Sequence, residues 1–288
     1  MSGRPPIDLN QKIRELPSHT EPSPFLGTAP IRNYEQRMNA AELAVKYFDR
    51  HVSSSSVYAA VRDRHMSLLH RMTLVMFIEA FERFLKELAV ACVDELGPFA
   101  IDDRFESFTA SGSNIALQFD SASVGRALCE SDTWLNNRLI NERFRHVLKS
   151  RFAAQPWNEF VFPGENQPPK VERDRAASLA ILWQIRHTIT HNVGHLTAAD
   201  ARRFRLLIKS DVPSEQLLAP TRRDLHYVQR FLVETAETTN QRIGSRLAEV
   251  MTEFHAADNA IFEPQETAAR LATVFQMPLT IAGVTATP

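Results

Sequence analysis

The fold class that the sequence predicts is all-α. Only nine glycines are spread over 288 residues, against seven methionines and many Ala, Leu, Arg and Glu, a mix that favours helices over sheet-and-turn architectures. Apolar residues recur at helical spacing over long stretches, and these stretches end on helix stops and starts such as Gly97-Pro98 and Thr197. With 44% hydrophobic residues, the chain holds enough apolar surface for a sizeable core.

Taken in order, residues 1 to about 33 are rich in Pro, Ser and Thr, a composition that buries too little to offset ordering entropy, and are expected to form a flexible arm. A first helix is predicted from roughly Asn33 to Arg50, with a polar break at Ser53–Ser56. From Val57 to Leu96, Leu68, Leu69, Met72, Val75, Met76, Phe81, Phe84, Leu85, Leu88 and Cys92 mark a wide apolar face, so this should be a central core helix. Gly97 and Pro98 stop it, and residues 99–120 are mixed, with a turn at Ser111-Gly112-Ser113-Asn114 that a short hairpin would suit. Residues 121–153 read as helix and carry Arg138, Arg143, Arg145, Lys149 and Arg151, whose plain reading is a solvated basic face. A proline-rich loop over Pro156–Lys170 leads into a helix over Glu172–Val193. Thr197 resembles an N-cap for a helix starting at Ala198. A long amphipathic helix follows Pro220, with Gly244 as the place where a bend costs least. A helix near Gln265–Gln276 and an apolar tail finish the chain.

Thirty-three Lys and Arg against 34 Asp and Glu leave the chain near neutrality, so any contact with nucleic acid must come from a local basic patch. Cys92 and Cys129 lack metal-ligand spacing and read as reduced core thiols of a cytoplasmic protein, with a disulfide as the alternative. The N-terminus lacks the apolar stretch of a signal peptide, and Leu74–Ile78 is too soon interrupted by charge to span a membrane. A glycine-rich phosphate loop, a His-Glu-x-x-His helix, a Cys-x-x-Cys pair and a serine nucleophile elbow are all absent. No cofactor is implied.

One dense polar cluster remains, running from Arg186 through His187, His191 and Asn192 to His195. At about 100° per residue, Leu182, Ile185, Ile189 and Val193 fall within about 80° of one another and define a buried face. With Arg186 at zero, His187 lies at about 100°, His191 at about 140° and the apolar face at about 300°. Both histidines therefore point away from the core. An exposed polar stripe fits that pattern. So does a chemical site, because an imidazole that exchanges protons near neutral pH beside a permanently charged guanidinium suits phosphodiester chemistry. His187 and His191 at i and i+4 could instead share a metal, with His195 as a third ligand. These three residues span about 12 Å of straight helix, however, too far to converge on one ion without a sharp turn at Gly194.

The Arg186-to-His191 spacing, with His187 directly after the arginine and Asn192 and Gly194 just beyond, resembles the Arg-x4-6-His motif of HEPN ribonucleases. Upstream, Phe81-Glu82-Arg83-Phe84-Leu85 is similar to the Glu-containing first helix of HEPN toxins and phage-defence proteins, and together the two cover about Met66 to Leu207. The resemblance implies a HEPN-like helical domain over residues 34–262, with a core at 57–210 and an insertion at about 99–170. A C-terminal helix and tail would occupy 263–288. It further implies a homodimer whose motif helices face each other, and metal-independent cleavage of RNA by attack of the ribose 2′-hydroxyl on the adjacent phosphate. His191 would then move the proton and Arg186 would hold the phosphate, with His187 and Asn192 orienting them or binding substrate. Glu82 would hold Arg186 or polarise the site, unless it only pairs with Lys86 four residues on. An RNase of this kind would be a toxin or antiviral effector controlled by an antitoxin or other regulatory protein. The alternative is a non-catalytic helical module of the same fold that binds protein or nucleotide.

Overall fold

The computed structural model describes residues 29–53, 59–99, 103–105, 108, 124–130, 134–150, 170–192, 195–208, 214–257 and 262–288. Over these residues the chain is all-α, apart from one small hairpin at its end. No helix among them is long and apolar enough to cross a membrane.

Helix α1 (Pro30–Ser53) begins three residues earlier than the sequence suggests, so residues 30–33 belong to it and not to the arm. Proline suits a helix's first turn, where its missing N–H has no partner to lose. Ile31, Tyr34, Met38, Ala41 and Val45 form its buried stripe, and the Tyr34 ring lies 5.4 Å from Phe84 and 6.1 Å from Phe81. The rest of the expected arm and most of the break at Ser53–Ser56 lie outside the described residues.

Helix α2 (Ala59–Leu96) is the axis of the molecule. Its C-terminal half is buried as expected, through Phe77, Ile78, Phe81, Phe84, Leu85, Leu88, Cys92 and Leu96. Its N-terminal half departs from the expected core face: Leu68 and Met72 are each 56% exposed and Met76 49%. The apolar face of this long helix outruns the helices that cover it. Beyond the Gly97 turn, Arg104 in the short 3-10 turn Asp103–Phe105 is fully buried, donates to the Val147 carbonyl at 3.1 Å and lies 5.0 Å from the Phe254 ring. The turn and hairpin expected around Ser111–Asn114 fall outside the described residues.

The single helix expected over 121–153 is two helices, α3 (Val124–Cys129) and α4 (Asn137–Val147). Trp134 stands between them. Its ring is fully buried 5.6 Å from Phe144, its indole N–H donates to the Cys129 carbonyl at 3.2 Å, and its backbone N–H donates to Glu82 Oε1 at 3.0 Å. Asn136 then restarts the helix as an extended N-cap whose side chain accepts from the N–H groups of Arg138 and Leu139. The basic stretch is not wholly a solvated face, since Arg143 is buried with its guanidinium 4.8 Å from the Trp134 ring. Helix α3 crosses α2 so closely that a Cβ on Gly125 would stand 2.5 Å from the Val90 carbonyl oxygen.

Helix α5 (Lys170–His191) lies against α2, with Trp183 stacked 6.0 Å from Phe81. Helix α6 (Ala198–Ile208) follows, then the single turn α7 (Ser214–Leu217) and the long α8 (Arg222–Ala257). Gly244 makes no bend in α8. It is a flat spot for the ring of Phe275 from α9 (Pro264–Phe275), whose Cδ1 would stand 2.9 Å from an added Cβ. The tail is not featureless: β1 (Leu279–Ile281) pairs antiparallel with β2 (Val284–Ala286), and Ile281 faces Val284 across a two-residue turn. Ala282 and Gly283 both have positive φ, 50° and 82°, as that tight turn requires. Cys92 and Cys129 are buried and unbridged, and burial pushes the Cys92 thiol well above its ordinary pKa, with Cys129 and Glu95 adding to it.

Candidate functional site

Helix α5 presents its polar cluster as the helical angles require. Leu179, Leu182, Trp183, Ile185 and Thr188 are buried, whereas His187 and His191 are exposed. Val193 and Gly194, expected on the buried face and at the helix end, lie outside the described residues, and the helix closes at His191. The two imidazoles sit side by side with ring centroids 4.7 Å apart.

Arg186 and His191, about 140° apart on an ideal helix, nevertheless line one cleft. It measures about 470 Å³ and is walled by Leu135, Asn136, Asn137, Ala180, Trp183, Gln184, Arg186, His187, His191 and Arg203. The arginine turns toward α2. Its side chain is 19% exposed, its Nη2 lies 3.3 Å from Glu79 Oε1, and its Nε is buried with no hydrogen-bond acceptor. The Nε is sealed from solvent, so any anion in the cleft would meet the terminal nitrogens of the guanidinium.

Glu82 does not hold Arg186. It accepts from the backbone of Trp134 and lies 3.6 Å from Lys86, the pairing that its spacing also allowed. The carboxylate opposite Arg186 is Glu79, one turn earlier on α2. Glu82 still shapes the cleft, because Trp134 leads directly into the wall formed by Leu135, Asn136 and Asn137. Asn137 is fixed in turn: its Oδ1 accepts from the Trp183 indole at 2.7 Å, and its Nδ2 donates to the Ala176 carbonyl at 2.8 Å.

Asn192 reaches a buried carboxylate. Its Nδ2 donates to Asp200 Oδ2 at 2.7 Å, and Gln184 Nε2 donates to Oδ1 at 2.9 Å. The Thr197 hydroxyl donates to Oδ2 at 2.6 Å, while the Asp200 N–H donates back to that hydroxyl at 3.1 Å. This is a capping box, and it bears out Thr197 as the N-cap of α6. Burial raises the Asp200 pKa, but hydrogen bonds from Thr197 and Thr188, with His187 nearby, outweigh it and hold the carboxyl below its ordinary value. Asp200 therefore clamps the end of α5 to the start of α6, and α6 carries Arg203 into the cleft. His195 is exposed and is not part of the cleft wall.

Glu79, Arg203, Asp200 and the Asn136-Asn137 wall lie outside the Arg186–His191 motif. The Thr-x-x-Asp spacing at Thr197–Asp200 was the one available signal among them. Among the described residues no group of three or more His, Cys, Asp or Glu stands together as a set of metal ligands. Comparison with known proteins gives no match among family models, curated proteins or solved structures. The resemblance to HEPN ribonucleases thus rests on the motif residues alone.

Proposed function

We propose that the chain is a metal-independent endoribonuclease of the HEPN type. The observation that carries this reading is the cleft whose wall holds Arg186, His187, His191 and a second cation, Arg203. RNA supplies its own nucleophile. The 2′-hydroxyl oxygen bonds to the adjacent phosphorus as the bond to the 5′-oxygen breaks, leaving a 2′,3′-cyclic phosphate and a 5′-hydroxyl. One proton leaves the 2′-oxygen and one reaches the departing 5′-oxygen, so an imidazole pair answers both needs, with His191 as the principal carrier. Arg186 stabilises the charge that gathers on the phosphoryl oxygens, and Arg203 holds the neighbouring strand.

A second copy of the chain belongs to this reading. Val61, Leu68, Met72 and Met76 lie within about 80° of one another on α2, are all exposed, and lead up to Glu79, the partner of Arg186. An exposed apolar stripe of this kind is a surface for another protein, and a homodimer built on it would bring two motif helices near each other. In the cell the enzyme would act as a toxin or antiviral effector in the cytoplasm, restrained by an antitoxin or other regulatory protein.

The test is cleavage of RNA in EDTA by the wild type, Arg186→Ala and His191→Ala. Both variants should lose about 100-fold or more of the rate, and DNA of the same sequence should stay intact. Equal cleavage by all three proteins would reject the site, and a requirement for a divalent ion would reject the metal-free mechanism. Absence of cleavage with bound RNA would turn the reading to a non-catalytic binding module.

A further inference from the structure

A second cavity, of about 520 Å³, lies between α1, α2 and the start of α8 and shares no residue with the Arg186 cleft. Val45, Thr73, Phe77 and Leu225 are buried and make its floor. The floor is apolar apart from Thr73, whose hydroxyl donates to the Leu69 carbonyl of its own helix at 2.9 Å. The mouth is different: Lys46, Arg222, Arg223 and His226 are exposed around it.

The carboxylates near this mouth neutralise two of its cations. Glu42 takes Lys46 Nζ at 2.6 Å and Gln229 Nε2 at 3.2 Å, and Asp49 takes Arg222 Nη1 at 2.6 Å. Arg223 has no carboxylate partner among the described residues. Its Nε and Nη2 reach only the Tyr227 hydroxyl, at 3.2 and 3.0 Å, and its guanidinium lies 5.4 Å from that ring. Arg222 and Arg223 also occupy the first turn of a 36-residue helix, where the backbone dipole favours an anion and Asp224, accepting from Thr221, supplies one carboxylate.

We infer that this cavity binds a small amphipathic carboxylate, its apolar body on Phe77, Val45 and Leu225 and its head group at Arg223 and the mouth of α8. The volume falls within the range of small-ligand sites, about 300–1,000 Å³. The apolar floor sets the kind of body, and the guanidinium fork matches a carboxylate. The site is separate from the proposed ribonuclease centre and does not depend on it.

Isothermal titration of the full chain with decanoate, decanol and acetate separates the contributions of head and body. Decanoate should bind saturably at one site per chain, with decanol and acetate each about tenfold or more weaker. Arg223→Ala, an exposed change that leaves the floor intact, should weaken decanoate by about tenfold and leave decanol unchanged. Gln229→Trp, which closes the cavity from its rim, should abolish decanoate binding while the helical circular dichroism is retained. Equal affinity for decanoate and decanol, indifference to Arg223→Ala, binding that does not saturate or no binding of decanoate would each overturn the assignment.

Discussion

Asp200→Asn removes one charge and one acceptor without changing shape, at a residue only 4% exposed. In the wild type the two carboxylate oxygens accept from Gln184, Asn192 and the Thr197 hydroxyl at 2.9, 2.7 and 2.6 Å. An amide keeps one oxygen and turns an NH2 toward donors, so at least one charge-assisted bond is lost and its former donor is left facing another donor. A hydrogen bond to a charged group is worth about 1.5–3 kcal/mol and a buried unpaired donor costs about 1–3 kcal/mol; with partial relaxation, a net loss of about 2–4 kcal/mol follows. With a urea m-value of about 3 kcal/mol/M, the unfolding midpoint should fall by about 1 M. The pH dependence gives a second handle. Because the folded pKa of Asp200 is lowered, its stabilisation is fully present above the unfolded value of about 3.9 and is lost as pH falls through the folded value. The gap between wild type and Asp200→Asn should therefore hold steady above about pH 5 and narrow below about pH 4. A variant as stable as the wild type at pH 7, or a gap that ignores pH down to 3, would refute the clamp.

Gly125→Ala should cost about 1–3 kcal/mol in thermal or urea unfolding, because its methyl would meet the Val90 carbonyl oxygen at 2.5 Å and α3 would have to lift off α2. Ala282→Gly should raise stability by about 0.5–1 kcal/mol, since a non-glycine residue at φ 50° is strained in the hairpin turn; a lower melting temperature would contradict this. Met72→Glu, on the exposed stripe of α2, should shift the chain toward monomer in sedimentation velocity while leaving its helical content unchanged. Glu79→Gln should weaken the hold on Arg186 and change RNA cleavage by severalfold, whereas Glu82→Gln should register mainly in stability through Trp134 and Lys86.

The elements that local chemistry controls were legible in the sequence. Helix periodicity gave the outward direction of His187 and His191 from the positions of Leu182 and Ile185, and it needed no knowledge of what α5 packs against. Thr197 announced the start of α6 because a capping box is complete within four residues. The hairpin at Ile281–Val284 also has a local signal, the alternation around Ala282-Gly283, within what reads by composition as an apolar tail.

Other features depended on which helix meets which, and at what rotation. Glu79 and Glu82 lie within one turn of each other, and the rotation of α2 against α5 decides that Glu79 pairs with Arg186 while Glu82 holds Trp134. Buried Trp134 stands at the break in a stretch whose local pattern reads as one helix, and the same ring draws Arg143 out of water. The exposed stripe of Leu68, Met72 and Met76 has the same periodicity as the buried half of α2, and only the extent of the covering helices separates the two. Apolar spacing marks a face as able to be buried, and tertiary packing decides whether it is. By itself the sequence determined an all-α chain with His187 and His191 on the polar side of one helix and Arg186 nearer its apolar face. The tertiary structure decided that Arg186, the two histidines and Arg203 line a single cleft, because that depends on a neighbouring helix clamped through Asp200.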